Sequence, residues 1–123
     1  MTTTAKIAAC AALALSLACR DAAPERAAPA RRYTVRGEVV RVGARELSIR
    51  HEPIPDFADR SGAVVGMSAM VMPFPVAEGV SLAKLVPGAK IRFTFVMDWE
   101  RNRMEIDRLE PLPADTALRF EAN

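Results

Sequence analysis

Lys90-Ile91-Arg92-Phe93-Thr94-Phe95-Val96-Met97-Asp98 puts an apolar side chain at every second position: Ile91, Phe93, Phe95 and Met97. A period of two is the signature of a strand with one buried face, because successive side chains leave a strand on opposite sides. Downstream, Arg101-Asn102 reads as a turn. Arg103 to Leu109 (RMEIDRL) then resumes the alternation, with Met104 and Ile106 facing inward.

The same period appears upstream. Tyr33 to Val42 (YTVRGEVVRV) alternates and is rich in Val. Glu46 to His51 (ELSIRH) sets Leu47, Ile49 and His51 on one face, and Gly43-Ala44-Arg45 between these runs reads as a hairpin turn. Ala69 to Val76 (AMVMPFPV) is a further strand, and Pro73 and Pro75 confine it to an edge or an irregular position because proline has no N–H to donate. Pro87-Gly88 marks a turn, and a short helical turn is expected within Val80 to Val86. Outside the N-terminal apolar run no stretch holds a helical period. The expected fold is all-β: a small five-stranded OB-like β-barrel, since closure removes the exposed edges of a lone sheet.

At 123 residues there is room for one small domain. Half the residues are hydrophobic but only 6% are aromatic, so the core must be mostly aliphatic. Lys and Arg number 17 against 15 Asp and Glu. That balance lacks the basic excess of a nucleic-acid or anionic-membrane binder. The mixed charges of the second half read as a solvated strand face.

The N-terminus reads as an address. Met1 to Lys6 carries one positive charge, and Ile7 to Ala18 (IAACAALALSLA) is apolar and small throughout. That run is too short to span a bilayer, for which roughly 20 residues are needed, and it reads as a signal peptide, residues 1–18. Leu15-Ser16-Leu17-Ala18-Cys19 resembles a bacterial lipobox, in which a small residue precedes a lipidated Cys. Leu usually stands three places before that Cys; here Ser16 does, and an ordinary signal peptide cleaved nearby is the alternative. Arg20 rather than Asp after the Cys points to the outer membrane. Cys10 would be discarded and Cys19 lipidated, so the folded domain would hold no thiol. Residues 19–32 (CRDAAPERAAPARR) read as a flexible tether, 33–112 as the domain and 113–123 as a C-terminal tail.

The chemistry concentrates in Met67, Met70 and Met72, with His51, the one histidine of the chain. Met70 and Met72 are two apart and share a strand face. If the His51 strand is a neighbour, an imidazole and thioethers converge. Thioether sulfur is a soft, uncharged donor that suits Cu(I) and Ag(I) better than Zn²⁺, Mg²⁺ or Ca²⁺. Methionine is also a filler of irregular cores, and on spacing alone Met-x-Met on a strand is more often packing than a metal site.

His51-Glu52-Pro53-Ile54-Pro55, followed by Met67-Ser68-Ala69-Met70-Val71-Met72-Pro73-Phe74-Pro75-Val76, resembles the copper- and silver-binding periplasmic CusF family. It is similar also to copper-binding domains beside Sco-type proteins. Leu85 to Phe93 (LVPGAKIRF) looks like the family's next segment, and the likeness runs from about Val35 to Leu109. The resemblance implies an OB-like barrel holding one Cu(I) or Ag(I), with His51, Met70 and Met72 as ligands. Where some members place a Trp over the metal, this chain has Met67, a third sulfur or a shield. Trp99 is expected to be structural. Asp56 to Gly66 (DFADRSGAVVG) lengthens the stretch between His51 and Met70 and is expected to be an exposed loop.

The function implied is that of a periplasmic metallochaperone or buffer. It would be monomeric, held to the membrane only through a lipid on Cys19. Its partner would be a copper efflux or cuproprotein-assembly protein. No nucleophile–base pair or phosphate loop argues for an enzyme. The alternative is a metal-free OB-like lipoprotein that binds a protein through Asp56 to Gly66.

Overall fold

The computed structural model describes residues 28–121. The expected signal peptide, Cys19 and most of the tether lie outside them. Five strands follow one another: β1 Arg31–Val42, β2 Glu46–His51, β3 Met70–Pro75, β4 Lys90–Asp98 and β5 Arg103–Pro111. They form one antiparallel sheet in the order β3-β2-β1-β4-β5.

β1 is long enough to serve two neighbours. Its first part, Arg31 to Glu38, pairs with β4, and its last part, Gly37 to Val42, pairs with β2. A register shift between Val39 and Arg41 sits in the second ladder, and another lies between Thr94 and Phe95 in the β4–β5 ladder. Such bulges bend a strand and increase its twist, which curls the sheet around its own apolar face. Closure is not by a continuous ladder: the two end strands meet through a parallel bridge between Val76 and Ile106, with Ala77 N donating to Ile106 O at 2.8 Å. The fold is an all-β, OB-like barrel left partly open between β3 and β5.

The alternating positions do fill the interior. Leu47, Ile49, Phe74, Ile91, Phe93, Phe95 and Ile106 are all fully buried. Phe74 ties β3 to β4, with ring centroids 5.0 Å from Phe93 and 5.2 Å from Phe95. Burying side chains of this size stabilises a fold by about 1.5–3 kcal/mol each.

Three local expectations are revised. β1 begins at Arg31, two residues inside the expected tether, because backbone pairing with Val96 and Met97 extends the ladder beyond the last apolar residue. Val80 to Val86 forms turns and no helix; Lys84 adopts a left-handed φ of 70°, which a helix cannot include. Asp56 to Gly66 is an ordered hairpin-like excursion, held by bridges Ile54–Met67 and Ala58–Val64. Its first half is core: Phe57 and Ala58 are buried, and the Phe57 ring lies 5.2 Å from Tyr33 and 6.3 Å from Trp99. Tyr33 Oη accepts from Ala58 N at 3.0 Å, and Trp99 Nε1 donates to Ala58 O at 3.2 Å. The excursion therefore plugs one end of the barrel, and Trp99 serves that plug. Val64 and Val65, on the return, are exposed.

Candidate metal site

β2 ends at His51 because Pro53 follows and cannot donate to a ladder. β3 begins opposite that point. The cross-strand register pairs His51 with Met70, Ile49 with Met72 and Leu47 with Phe74. Partners directly across an antiparallel pair project from the same face, with Cβ atoms about 5 Å apart. His51 and Met70 are thus face to face, and Met72 is the diagonal neighbour of His51. All lie on the face that also carries Phe74 and Ile49, at the end of the β2–β3 pair from which the connection through residues 52–69 departs.

The free edge of β3 is sparse in donors. Val76 N donates to Arg45 O at 2.9 Å, and the same alternation turns the amides of Phe74, Met72 and Met70 toward β2. Positions 71, 73 and 75 face away, and two of these are prolines. The strand keeps its sulfurs on one face and little hydrogen-bonding capacity on its outer edge.

His51 is fully buried, which is unusual for an imidazole. Its Nδ1 lies 2.7 Å from the carbonyl oxygen of Glu52. A carbonyl only accepts, so Nδ1 carries a hydrogen, and in the uncharged form of an imidazole so bonded Nε2 is a bare lone pair. Among the described residues, Nε2 of His51 is the one buried side-chain nitrogen or oxygen without a hydrogen-bond partner. Leaving such a group unsatisfied costs about 1–3 kcal/mol, so an orphan of this kind calls for a partner, a water or an ion. The ring stands nearly perpendicular to that of Phe74, with centroids 6.0 Å apart and planes at 81°.

The sulfurs grade outward from this buried nitrogen. Met72 is half-buried against the core and Met70 is 44% exposed at the rim. Met67 stands apart. It pairs with Ile54, three residues beyond His51, and its half-buried side chain packs on the core and lines a cleft with Pro53, Pro55 and Ser68. The register brings together His51, Met70 and Met72, and sets Met67 at the next level of the same hairpin. Among the described residues no three of His, Cys, Asp or Glu cluster. One imidazole nitrogen with two or three thioethers is a donor set for a soft monovalent cation.

Glu52, which the sequence offers only as the neighbour of His51, is held by three donors. Its carboxylate takes Arg36 Nε at 2.6 Å and Nη2 at 2.8 Å, and the backbone amide of Arg119 at 2.7 Å. Burial pushes its carboxyl up, but the bonds from Arg36 and Arg119 and their positive charge outweigh this and hold it below the usual carboxylate range. Only its place beside the lone histidine could have signalled a role.

The residues 32–111 match the family model described as copper binding periplasmic protein CusF. Among solved structures, apo-CusF from Escherichia coli is similar with a TM-score of 0.54 at 20% identity, over 70% of this chain and 93% of that one. The C-terminal domain of SilB from Cupriavidus metallidurans gives a TM-score of 0.51 at 19% identity, over 72% of this chain and 98% of that one. At such identities the likeness speaks for the fold. No curated protein sequence matches. The family match spans both ladders that carry His51, Met70 and Met72, and on that match the chain belongs to the CusF family of periplasmic copper-binding proteins, which are metal binders and not enzymes.

Proposed function

We propose that this chain carries Cu(I), and equally Ag(I), bound by Nε2 of His51 and the thioethers of Met70 and Met72, with Met67 as a third sulfur. The observation that carries the reading is the buried, unpartnered Nε2 of His51 directly across the sheet from Met70. The metal is cargo: a half-exposed Met70 at the rim lets it enter and leave. The chain acts as a monomeric chaperone or buffer and passes copper to an efflux or cuproprotein-assembly protein. A lipid on Cys19 tethers it at the periplasmic side, with Arg20 favouring the outer membrane.

The competing reading, a metal-free module that docks a protein through Asp56 to Gly66, draws support from the exposed Val64 and Val65. It gives no account of the orphaned imidazole nitrogen. Titration separates the two: the purified protein should bind one Ag(I) or Cu(I) per chain and retain it against equimolar Zn²⁺. Binding of Zn²⁺ as tight as that of Cu(I), or no binding at all, would overturn the assignment.

A further inference from the structure

We infer that the C-terminal segment Leu112 to Phe120 is a strap that positions His51 through Glu52; the inference rests on His51 as a metal ligand. The segment lies beyond the family match, which ends at residue 111. It nevertheless returns along the outside of the barrel and is fastened at four points. Leu112 N donates to Lys90 O at 2.8 Å, and Lys90 Nζ donates to Thr116 O at 2.6 Å. Arg119 N donates to the Glu52 carboxylate, and the Phe120 ring lies under the Arg50 guanidinium at 4.0 Å. The last two contacts grip residues on either side of His51.

Glu52 is where strap and site meet. Its carbonyl is the sole described partner of His51 Nδ1, so the tilt of its peptide sets which imidazole nitrogen is free and where it points. That peptide joins Glu52 to Pro53, which has no N–H, and the β2–β3 ladder has already ended. What orients Glu52 is its own N–H on Arg36 O at 2.9 Å, its carboxylate on Arg36, and the Arg119 amide. The Arg36 fork alone leaves the carboxylate able to rock about β1. A third donor, on the strap and on the oxygen that also takes Arg36 Nη2, restricts that freedom.

The strap adds no residue to the buried core, so loosening it should spare the fold. Changes in the outer shell of a metal site typically weaken binding about 10–100-fold; one step further out, about three- to tenfold is expected. Arg119→Pro deletes the donating amide. In the full chain it should weaken Ag(I) binding about three- to tenfold, read by competition with a chelator. Arg119→Ala, which keeps the amide, should lose less. Phe120→Ala, which releases the Arg50 contact without altering the backbone, should weaken binding in the same direction as Arg119→Pro.

Two readouts tie the effect to His51. In metal-free protein the ring ¹⁵N shifts of His51 should show the Nδ1–H tautomer in the wild type and a mixture in Arg119→Pro. In a His51→Ala background, Arg119→Pro should have no further effect on Ag(I) binding. An unchanged tautomer together with unchanged affinity overturns the strap, as does an equal loss in the His51→Ala background. If His51→Ala itself leaves binding intact, the ligand assignment fails instead, and the tautomer measurement still judges the strap.

Discussion

Gly37 on β1 and His51 on β2 are direct cross-strand partners with no room for a side chain between their strands. A Cβ on Gly37 would come within 2.6 Å of Ile49 Cγ2, 2.7 Å of Arg50 O and 3.2 Å of the His51 Cα. Glycine is required here for close approach of two backbones at the floor of the site. Gly37→Ala should destabilise the barrel by about 1–3 kcal/mol, as overpacking does, and displace His51. Denaturant unfolding checks the first effect and Ag(I) titration the second; a variant with wild-type values for both would refute the crowding argument.

Leu replaces Met at nearly equal volume, usually for under about 1.5 kcal/mol, but has no lone pair. Met70→Leu and Met72→Leu should therefore stay folded and lose Ag(I) affinity by about tenfold or more, since a ligand matters at least as much as its outer-shell support. Met67→Leu should lose less, because Met67 stands opposite Ile54 and not opposite His51. Competition titrations on the three variants give the ranking; full affinity in both strand variants would make the sulfurs ordinary core.

The Arg36–Glu52 pair gives acid sensitivity a definite sign. The Glu52 carboxyl is held below its ordinary value of 4.5, so its stabilisation is fully present above that pH and is lost as pH falls through the depressed value. Glu52→Gln should cost about 1 kcal/mol at neutral pH, the pair being partly screened, and should narrow the difference from wild type in strong acid. Urea midpoints at pH 7 and pH 3 measure this; a gap that widens in acid would reverse the sign.

The plug at the barrel end should be separable from the metal. Tyr33→Phe removes the only described partner of the Ala58 amide, and Trp99→Phe removes the indole donor to Ala58 O. Each should cost about 1–3 kcal/mol and speed hydrogen exchange of Phe57 to Gly66. Ag(I) affinity should hold, because neither side chain is in the ladder that carries His51 and Met70. A large drop in affinity would show that the plug also shapes the site.

Cys19→Ala tests the tether. The wild-type chain expressed in a bacterium should sediment with membranes, and the variant should be impaired in processing. Wild type recovered without detergent as a freely soluble periplasmic protein would end the lipoprotein reading.

The limits of β2 and β4 were legible because each is a short run of strict alternation, and a period of two has one structural meaning. The start of β1 was not: Arg31 and Arg32 join the sheet through backbone bonds that no side-chain pattern records. Phe57 was hidden among Asp, Arg, Ser and Gly, and its burial depends on Tyr33 and Trp99, remote in sequence. In the site, the spacing of Met70 and Met72 placed two sulfurs on one face. It could not supply the register that sets Met70 against His51, nor the Glu52 carbonyl that decides which imidazole nitrogen is bare. Those come from strand pairing and from the Pro53 that ends it.

The prolines at 73 and 75 carry a consequence for the protein in a crowd. A sulfur-bearing strand at the margin of a barrel has to stay near solvent, because a soft ion must come and go. Unprotected, its outer edge would be a template on which another chain could add, and stacked copies could grow into a cross-β fibre. Growth needs an amide at every second residue, and here Val71 alone offers one among three positions. On the proposed reading the margin admits ions, while its edge is closed to strands.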